Sequence, residues 1–436
     1  MAWDFSTEPE FQKKLEWVRA FVETEVRPLE FIYYDLTQEQ LDRIEAPLKA
    51  EVKRQGLWAA HLDRELGGQG MGQLHLALLH EILGRYVMAP EIFGNQAPDS
   101  GNAELLAVGA NEDQKQRWLW PLLDGKLRSS FALTEPFVAS TDPTAIRSLA
   151  VRDGDHWVLN GHKWFASNAD VADFVLAMVV TNPEAPPHAR AAMIVIERGT
   201  PGLEIVRNVG TMAHPDPREL ERQGRLGGHT EIRFRDCRVP AANLIGQPGE
   251  GFMLAQRRLG GGRIHHAMRM LGQCHRAYEM MCERAVSRET RGKPLGQHQM
   301  MQDLIAESAV EIDTARLLTL KAAWTLDREG GKAARKDIAM IKYYAAKVLF
   351  NVLDRAIQLH GALGYSTDLP LEWMFRMARA LRIADGADEI HKVTIAKEVL
   401  KKVQVKQGWP TEHVPTNRDA AFRKFAHLLE QHTANL

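Results

Sequence analysis

A chain of 436 residues, 45% apolar and 25% charged, holds enough hydrophobic material for two or three packed domains, which excludes a disordered polymer. Its 55 basic and 56 acidic residues nearly cancel, so no overall field draws it to nucleic acid or anionic lipid, and a small molecule or another protein is the expected partner. Charge breaks every apolar run well short of the roughly 20 residues a bilayer span needs, and the first residues read as neither secretory nor transit leader, so no membrane insertion and a cytoplasmic location are expected.

In chain order, residues 1–128 carry a helical pattern, as in Leu74, Leu76, Leu78, Ile82 and Leu83, with turn signals at Gly67-Gly68 and around Pro98. From Ser129 to about residue 245 the texture changes to short apolar runs such as Phe174-Val-Leu-Ala-Met-Val-Val180 and Ala192-Met-Ile-Val-Ile196, separated by Gly, Pro, Asn and Asp. No long helical stretch lies between them, so antiparallel pairing in a sandwich or barrel is expected, not a parallel dinucleotide fold. Helical periodicity returns over 246–405. Ile264, Ala267, Leu271, Cys274, Tyr278 and Met281 fall at steps of three or four. A second helix ends at Gly330-Gly331, a third starts near a capping Asp337, and a last runs from about Ala387 to Val405, which suggests a four-helix bundle. Residues 406–436 read as a polar tail in which Pro410 and Pro415 mark a break. The fold class is thus α+β multidomain: helical, β-sandwich or barrel, then helical again.

Three scattered cysteines, Cys237, Cys274 and Cys282, exclude a disulfide framework, and Cys274 on an apolar stripe reads as core. Neither a Gly-x-Gly-x-x-Gly turn nor a Walker loop is present. His265 and His266 are adjacent, so they point to different helix faces, and no third ligand stands at a metal-site spacing. Thr134-Glu-Pro136 leads into Ser140-Thr141-Asp142, which is either a turn or a polar lining. Trp164 and Phe165 precede a hydroxyl at Ser167 and serve either as core or as the cover of a planar ring. In Ile383-Ala-Asp-Gly-Ala-Asp-Glu-Ile-His391, Asp388 and Glu389 complement a helix N-terminus, while Asp385 is either its N-cap or a base.

Taken in order, Glu65 to Gly70, Phe131-Ala-Leu-Thr-Glu-Pro136, Leu159-Asn-Gly-His-Lys163, Phe234 to Pro240, Gly249-Glu-Gly-Phe252, Arg288 to Gln299, Gln358-Leu-His-Gly-Ala-Leu-Gly-Tyr365 and Ala384-Asp-Gly386 resemble the acyl-CoA dehydrogenases over about residues 1–402. The resemblance implies an FAD enzyme that removes the α-proton of an acyl-CoA with a carboxylate while the flavin accepts the β-hydrogen. Fatty-acid β-oxidation would be its setting, a homo-oligomer (dimer or tetramer) its form, and an electron-transferring flavoprotein its acceptor. It places Asp385 as the base. Phe131, Ala132, Leu133, Thr134, Ser140, Phe165, Ala166 and Ser167 fall at the flavin ring. Arg288, His298 and Gln299, with Gln358, Leu359, His360, Gly361 and Ala362 of another chain, fall toward the pyrophosphate and adenine, and Ala387, Asp388 and Glu389 complete that site at a helix N-terminus. Ser140, Gly260, Gly261, Gly262, Arg263 and Gly386 fall on the substrate.

The chain departs from the family at four points, one of them Gly260-Gly-Gly262, which precedes Arg263 where the family often has an Asp for the pantetheine. The usual glycine-rich Glu-Pro-Gly-x-Gly-Ser is Glu135-Pro-Phe-Val-Ala-Ser140, Arg291 replaces a common aromatic, and Asp385 stands where the family has Glu. The spelling Ala-Asp-Gly-x-Asp-Glu-x-His over 384–391 resembles one branch whose better-known eukaryotic members carry an extra kinase-like domain. Asp is also the base in nitroalkane oxidases of the superfamily. A flavin oxidase and a catalytically silent scaffold of the same fold therefore stand as alternatives.

Overall fold

In the computed structural model, residues 6–66, 68–218 and 227–433 are described, with only the backbone of 257–261 and 430–433. The N-terminal third is built from helices α1 (Pro9–Phe21), α2 (Gln38–Arg54), α3 (Gly72–Leu83) and α4 (Asp99–Gly109), with shorter turns between them. Thr37 and Gln40 close the start of α2 as a reciprocal capping box, each side chain accepting from the other's amide. α3 is rich in leucine because most of it is enclosed. Leu76, Leu79, Ile82 and Leu83 are buried, and its first amides, Gln73 and Leu74, donate to Asp327 at 2.7 and 2.9 Å from more than 250 residues away.

The middle third holds β1 (Ser129–Ala132), β2 (Leu149–Asp153), β3 (His156–Ser167), β4 (Phe174–Val180), β5 (Ala191–Glu197), β6 (Leu203–Asn208), β7 (His229–Pro240) and β8 (Leu244–Ile245). They pair in the order β6-β7-β3-β2-β4-β5-β8, antiparallel except that β1 runs parallel to β4 and a single parallel pair, Leu149 with Val180, links β2 to β4. That thin link divides the strands into two halves packed face to face. Trp157, Leu159, Ile232 and Phe234 of one half share a core with Val175, Val179, Ile194 and Ile196 of the other. The alternate residues of β4, Phe174, Leu176 and Met178, point instead into a second core with Leu105 and Leu106 of α4, Trp118 and Leu119. Both faces of β4 are covered, which is why its sequence is continuously apolar.

α5 (Gly251–Ser287), α6 (Gln299–His360) and α7 (Leu371–Ala380) form the rest of the main unit, together with the start of α8 (Asp388–Leu400). α6 is two helical arms that meet at Gly330, whose backbone (φ +80°, ψ 174°) is not helical, so the break expected at Gly330-Gly331 is present. Asp337, expected to cap a separate helix, is instead buried within the second arm with its carboxylate 3.0 Å from the Lys321 ammonium, because the helix resumes directly after the break. α3 and α5 touch backbone to backbone. A Cβ on Gly84 would lie 2.3 Å from Arg269 Cα, and one on Gly272 2.3 Å from the Glu81 carbonyl oxygen, so this crossing requires glycine on both helices. It seats the middle of α5 beside the site described next.

Residues 393–436 are a separate unit. The polar tail expected there contains a helix, α9 (Val414–Thr433), with Phe422, Phe425, Leu428 and Leu429 exposed. Pro415 falls in its first turn, where a missing N–H breaks no helical bond, so it begins a helix rather than interrupting one. Among the described residues no helix is long and apolar enough to cross a membrane.

Candidate active site

Asp385 stands in the left-handed region (φ +55°), where a non-glycine residue is strained, and Gly386 follows at φ +101°. A Cβ on Gly386 would meet His391 Nε2 at 2.9 Å, so glycine serves both the backbone turn and the close approach. α8 begins three residues after Asp385, and its first helical acceptor is the Ala387 carbonyl, so Asp385 is not the N-cap. The two adjacent turn residues lift the carboxylate off the helix and place it at the wall of a cleft.

That cleft gathers Asp385 with Gly262 and Arg263, as the sequence expects, and adds Asn95, Ser100, Glu104, His266 and Arg269, which it does not. A Cβ on Gly262 would meet nothing, so this helical glycine leaves α5 open toward the cleft. Gly260 and Gly261 lie outside the described side chains. Arg263 Nε donates to the Asp385 carbonyl at 3.4 Å, and His266 Nε2 is 3.6 Å from Asp385 Oδ2. Burial pulls both Arg263 and Lys342 down from their ordinary values, while the negative charge of Asp385 holds both up. Lys342 is fixed by donating to the Leu381 carbonyl at 2.7 Å. His391 is pushed down to about 4 by burial and by the neighbouring Arg263 and Lys342, so at neutral pH it is an uncharged floor beneath Gly386.

A polar layer that includes His265 and Arg269 lines the inner side of the cleft. His265 stacks on His80 with centroids 4.5 Å apart and bonds Gln73 at 3.2 Å, turning away from His266 as adjacent helical residues must. Arg269 donates to His80 Nδ1, Gln96 Oε1 and the Asn95 carbonyl. Burial depresses Arg269 to about 9 and holds His80 and His265 well below the usual imidazole value.

The predicted flavin-end residues meet on β1, β3 and the loop between. Lys163, fully buried, donates to Glu135 at 2.8 Å and to the Leu133 carbonyl at 3.1 Å. Glu135 also accepts the amides of Arg147 and Ser148, and the Trp164 amide donates to the Thr134 carbonyl. This brace was missed from the sequence, although the pairing of an acid in Thr134-Glu-Pro136 with a lysine inside a strand was a legible signal. Phe165 is 40% exposed on left-handed backbone (φ +50°), while Trp164 tucks in beside it edge-on. The two expectations for this pair are thereby shared out: Trp164 packs and Phe165 presents its ring. Ser167 bonds His229 Nδ1 at 2.8 Å. Ser140 is exposed and Phe131 partly so, whereas Ala132 and Ala166 are buried in the strand core and can offer a ligand only backbone.

Arg288, Gln299, Gln358, Gly361 and Ala362 are exposed on the single chain and His298 partly so, while Leu359 and His360 are buried, the latter bonded to the Ala356 carbonyl. Asp388 is buried and paired with Arg382 at 2.8 Å, and its amide donates to the Arg382 carbonyl, which leaves the exposed Glu389 and half-buried Ala387 as the accessible residues of that helix start.

An exposed aromatic on a braced strand and a carboxylate at the wall of a cleft between helices are the two halves expected of a flavin-dependent proton-abstracting fold. Residues 8–126, 130–221 and 249–400 match the N-terminal, middle and C-terminal domains of acyl-CoA dehydrogenases. The chain is 44% identical over 360 residues to the probable acyl-CoA dehydrogenase FadE2 of Mycobacterium tuberculosis, covering 81% of this chain and 85% of that one. It is 42% identical over 405 residues to acyl-CoA dehydrogenase family member 10 of Mus musculus, covering 90% of this chain but only 37% of that longer protein. A solved protein from Mycobacterium abscessus, assigned to the acyl-CoA dehydrogenases, superimposes with a TM-score of 0.85 at 37% identity, over 91% of this chain and all of that one. The chain belongs to the acyl-CoA dehydrogenase family and has its fold, and it spans about half or less of the length of several curated relatives it matches.

Proposed function

We propose that this protein is an FAD-dependent acyl-CoA dehydrogenase that converts an acyl-CoA to its trans-2-enoyl-CoA with Asp385 as the α-proton base. The observation that carries the reading is the Asp385 carboxylate, held on strained backbone at the wall of a cleft bordered by Gly262 and Arg263. Strain of this kind, about 1–3 kcal/mol per residue, persists where the surroundings over-determine it, as at sites of chemistry.

The residues present fit a flavin. Phe165 offers an exposed ring, Ser167 a hydroxyl two residues on, and the Glu135–Lys163 brace holds the carbonyls of Leu133 and Thr134 at fixed places beside them. When bound, FAD supplies a two-electron acceptor for the β-hydrogen. Arg263 fixes the backbone of the base through the Asp385 carbonyl, and Gly262 leaves room for the thioester end of the substrate along α5. The exposed Arg288, Gln299 and Gln358–Ala362 suit contacts completed by a second copy, so a homo-oligomer with the cofactor at its interfaces follows from the same reading, with an electron-transferring flavoprotein as acceptor in β-oxidation.

The test is the absorbance spectrum of the purified protein, followed by anaerobic titration with acyl-CoAs of varied length, branching and hydroxylation. Flavin bands that bleach with at least one acyl-CoA, and reoxidise slowly in air, are expected. Bleaching by nitroalkanes alone would replace this reading with an oxidase, and a colourless protein that takes up no FAD would replace it with a silent scaffold. Asp385→Asn should keep the flavin and lose its reduction.

A further inference from the structure

From the geometry around Asp385 we infer that His266 is a positioning residue and the second proton carrier of the site, receiving from Asp385 the proton that Asp385 takes from the substrate. This rests on Asp385 being the base. Gly262, His266 and Arg269 recur at steps of four and three along α5, with Arg263 next to Gly262, and all border one cleft; of these, His266 presents an imidazole nitrogen to the carboxylate, with Nε2 3.6 Å from Oδ2. That is longer than a hydrogen bond. A small rotation of the Asp385 side chain closes it, and catalytic contacts commonly tighten only when substrate is bound.

Arg263 holds the Asp385 carbonyl from the same helix, so α5 grips the base at both ends of the residue. The side chains of His266 and Asp385 are 27% and 32% exposed, so both reach water. A carboxyl is a poor resting place for the proton because aspartate is normally the weaker base of the pair, whereas imidazole titrates near neutrality. The step balances as follows. The substrate C–H bond breaks, its electron pair stays on the substrate for the new double bond, and Asp385 Oδ2 takes the proton. The O–H bond then gives way to an N–H bond on His266 Nε2, leaving a carboxylate beside an imidazolium that loses its proton to solvent.

The charged groups facing His266 bear on its protonation in opposite senses. Asp385 and Glu104 favour the imidazolium, Arg263 and Arg269 oppose it, and His80 and His265 on its inner side are neutral.

The experiment is steady-state turnover of the acyl-CoA that bleaches the flavin, with a dye as electron acceptor, from pH ~5 to 9, for the wild-type holoenzyme, His266→Asn, His266→Ala with added imidazole, and Asp385→Asn. The wild type should show an acid limb in the histidine range, about pH 6–7. His266→Asn should reduce the rate at least ~10-fold with substrate affinity changed less than about threefold, and should lose that limb. Imidazole should restore His266→Ala in proportion to its neutral fraction. A His266→Asn enzyme with wild-type rate and pH profile overturns the inference. Should neither variant fold, a wild-type profile flat across the histidine range overturns it as well. Activity persisting in Asp385→Asn would sink the base assignment itself, an outcome distinct from an inert His266 beside an essential Asp385.

Discussion

Lys163→Met is the sharpest test of how the flavin end of the site is held. The Lys163 side chain is 0% exposed and Glu135 5%, and the ammonium, pulled down by burial to about 8, is 2.8 Å from the carboxylate. Removing the cation leaves Glu135 buried with two backbone amides, from Arg147 and Ser148, as its remaining donors. Stripping one partner from a buried pair costs about 3–5 kcal/mol, and since two of the three donors survive, the low end, about 3 kcal/mol, is expected. The loss should be local to the loop carrying Leu133 and Thr134, so flavin retention falls along with stability. Urea unfolding followed by tryptophan fluorescence, with released flavin measured in parallel, reads both. The double variant Glu135→Gln/Lys163→Met removes the stranded charge and should recover at least ~1 kcal/mol of the single loss. If Lys163→Met lies within ~1 kcal/mol of wild type, or the double variant is as poor as the sum of the singles, the pair is not a brace.

Other outcomes follow from the same geometry. Gly386→Ala forces an alanine to φ +101° with its Cβ against His391 Nε2, which should cost about 1–3 kcal/mol and displace Asp385, so flavin reduction drops at least ~10-fold while the flavin stays bound. Phe165→Ala, at a 40% exposed ring, should change the melting midpoint by less than the equivalent of ~1 kcal/mol yet weaken flavin retention; a large loss of stability with unaltered flavin affinity would make Phe165 a core residue.

In acid, His61 and His391 are pushed down to about 4 and His80 and His265 well below 6.5, so the unfolded chain binds extra protons between pH ~4 and 6.5 and stability is lost as pH falls through that window. Glu45, raised to about 7, and Asp99, raised to about 6, act oppositely: their contribution is full below the unfolded values and lost as pH rises through the folded ones. Four histidines outweigh two carboxyls, so urea midpoints should fall from pH 6.5 to 4.5. Asp99→Asn, which keeps an acceptor for the Ser129 amide and hydroxyl, should be more stable than wild type at pH 7–8.

Local pattern carried much of this. β4 is legible as a strand because seven consecutive apolar residues cannot be a surface element, and its enclosure by two cores explains why alternation is absent. Asp337 misled because an acid shortly after two glycines looks like a cap, whereas the second arm of α6 resumes directly after the break at Gly330, and Asp337 lies inside that arm, paired with Lys321 of the first. Lys163 was passed over because a lysine in a strand reads as solvent-facing until the acid that buries it is known.

The sequence by itself determined the helical, strand and helical layout, the family, and the candidacy of Asp385, since periodicity and short motifs are properties of neighbours along the chain. It also established that His265 and His266 face apart. Which of the two faces the base, and that Asn95, Glu104 and Arg269 border the same cleft, was decided only by the tertiary structure. Those contacts join residues more than a hundred positions apart, and they depend on where α3 and α5 cross, at Gly84 and Gly272, where the absence of two side chains sets how closely the helices approach.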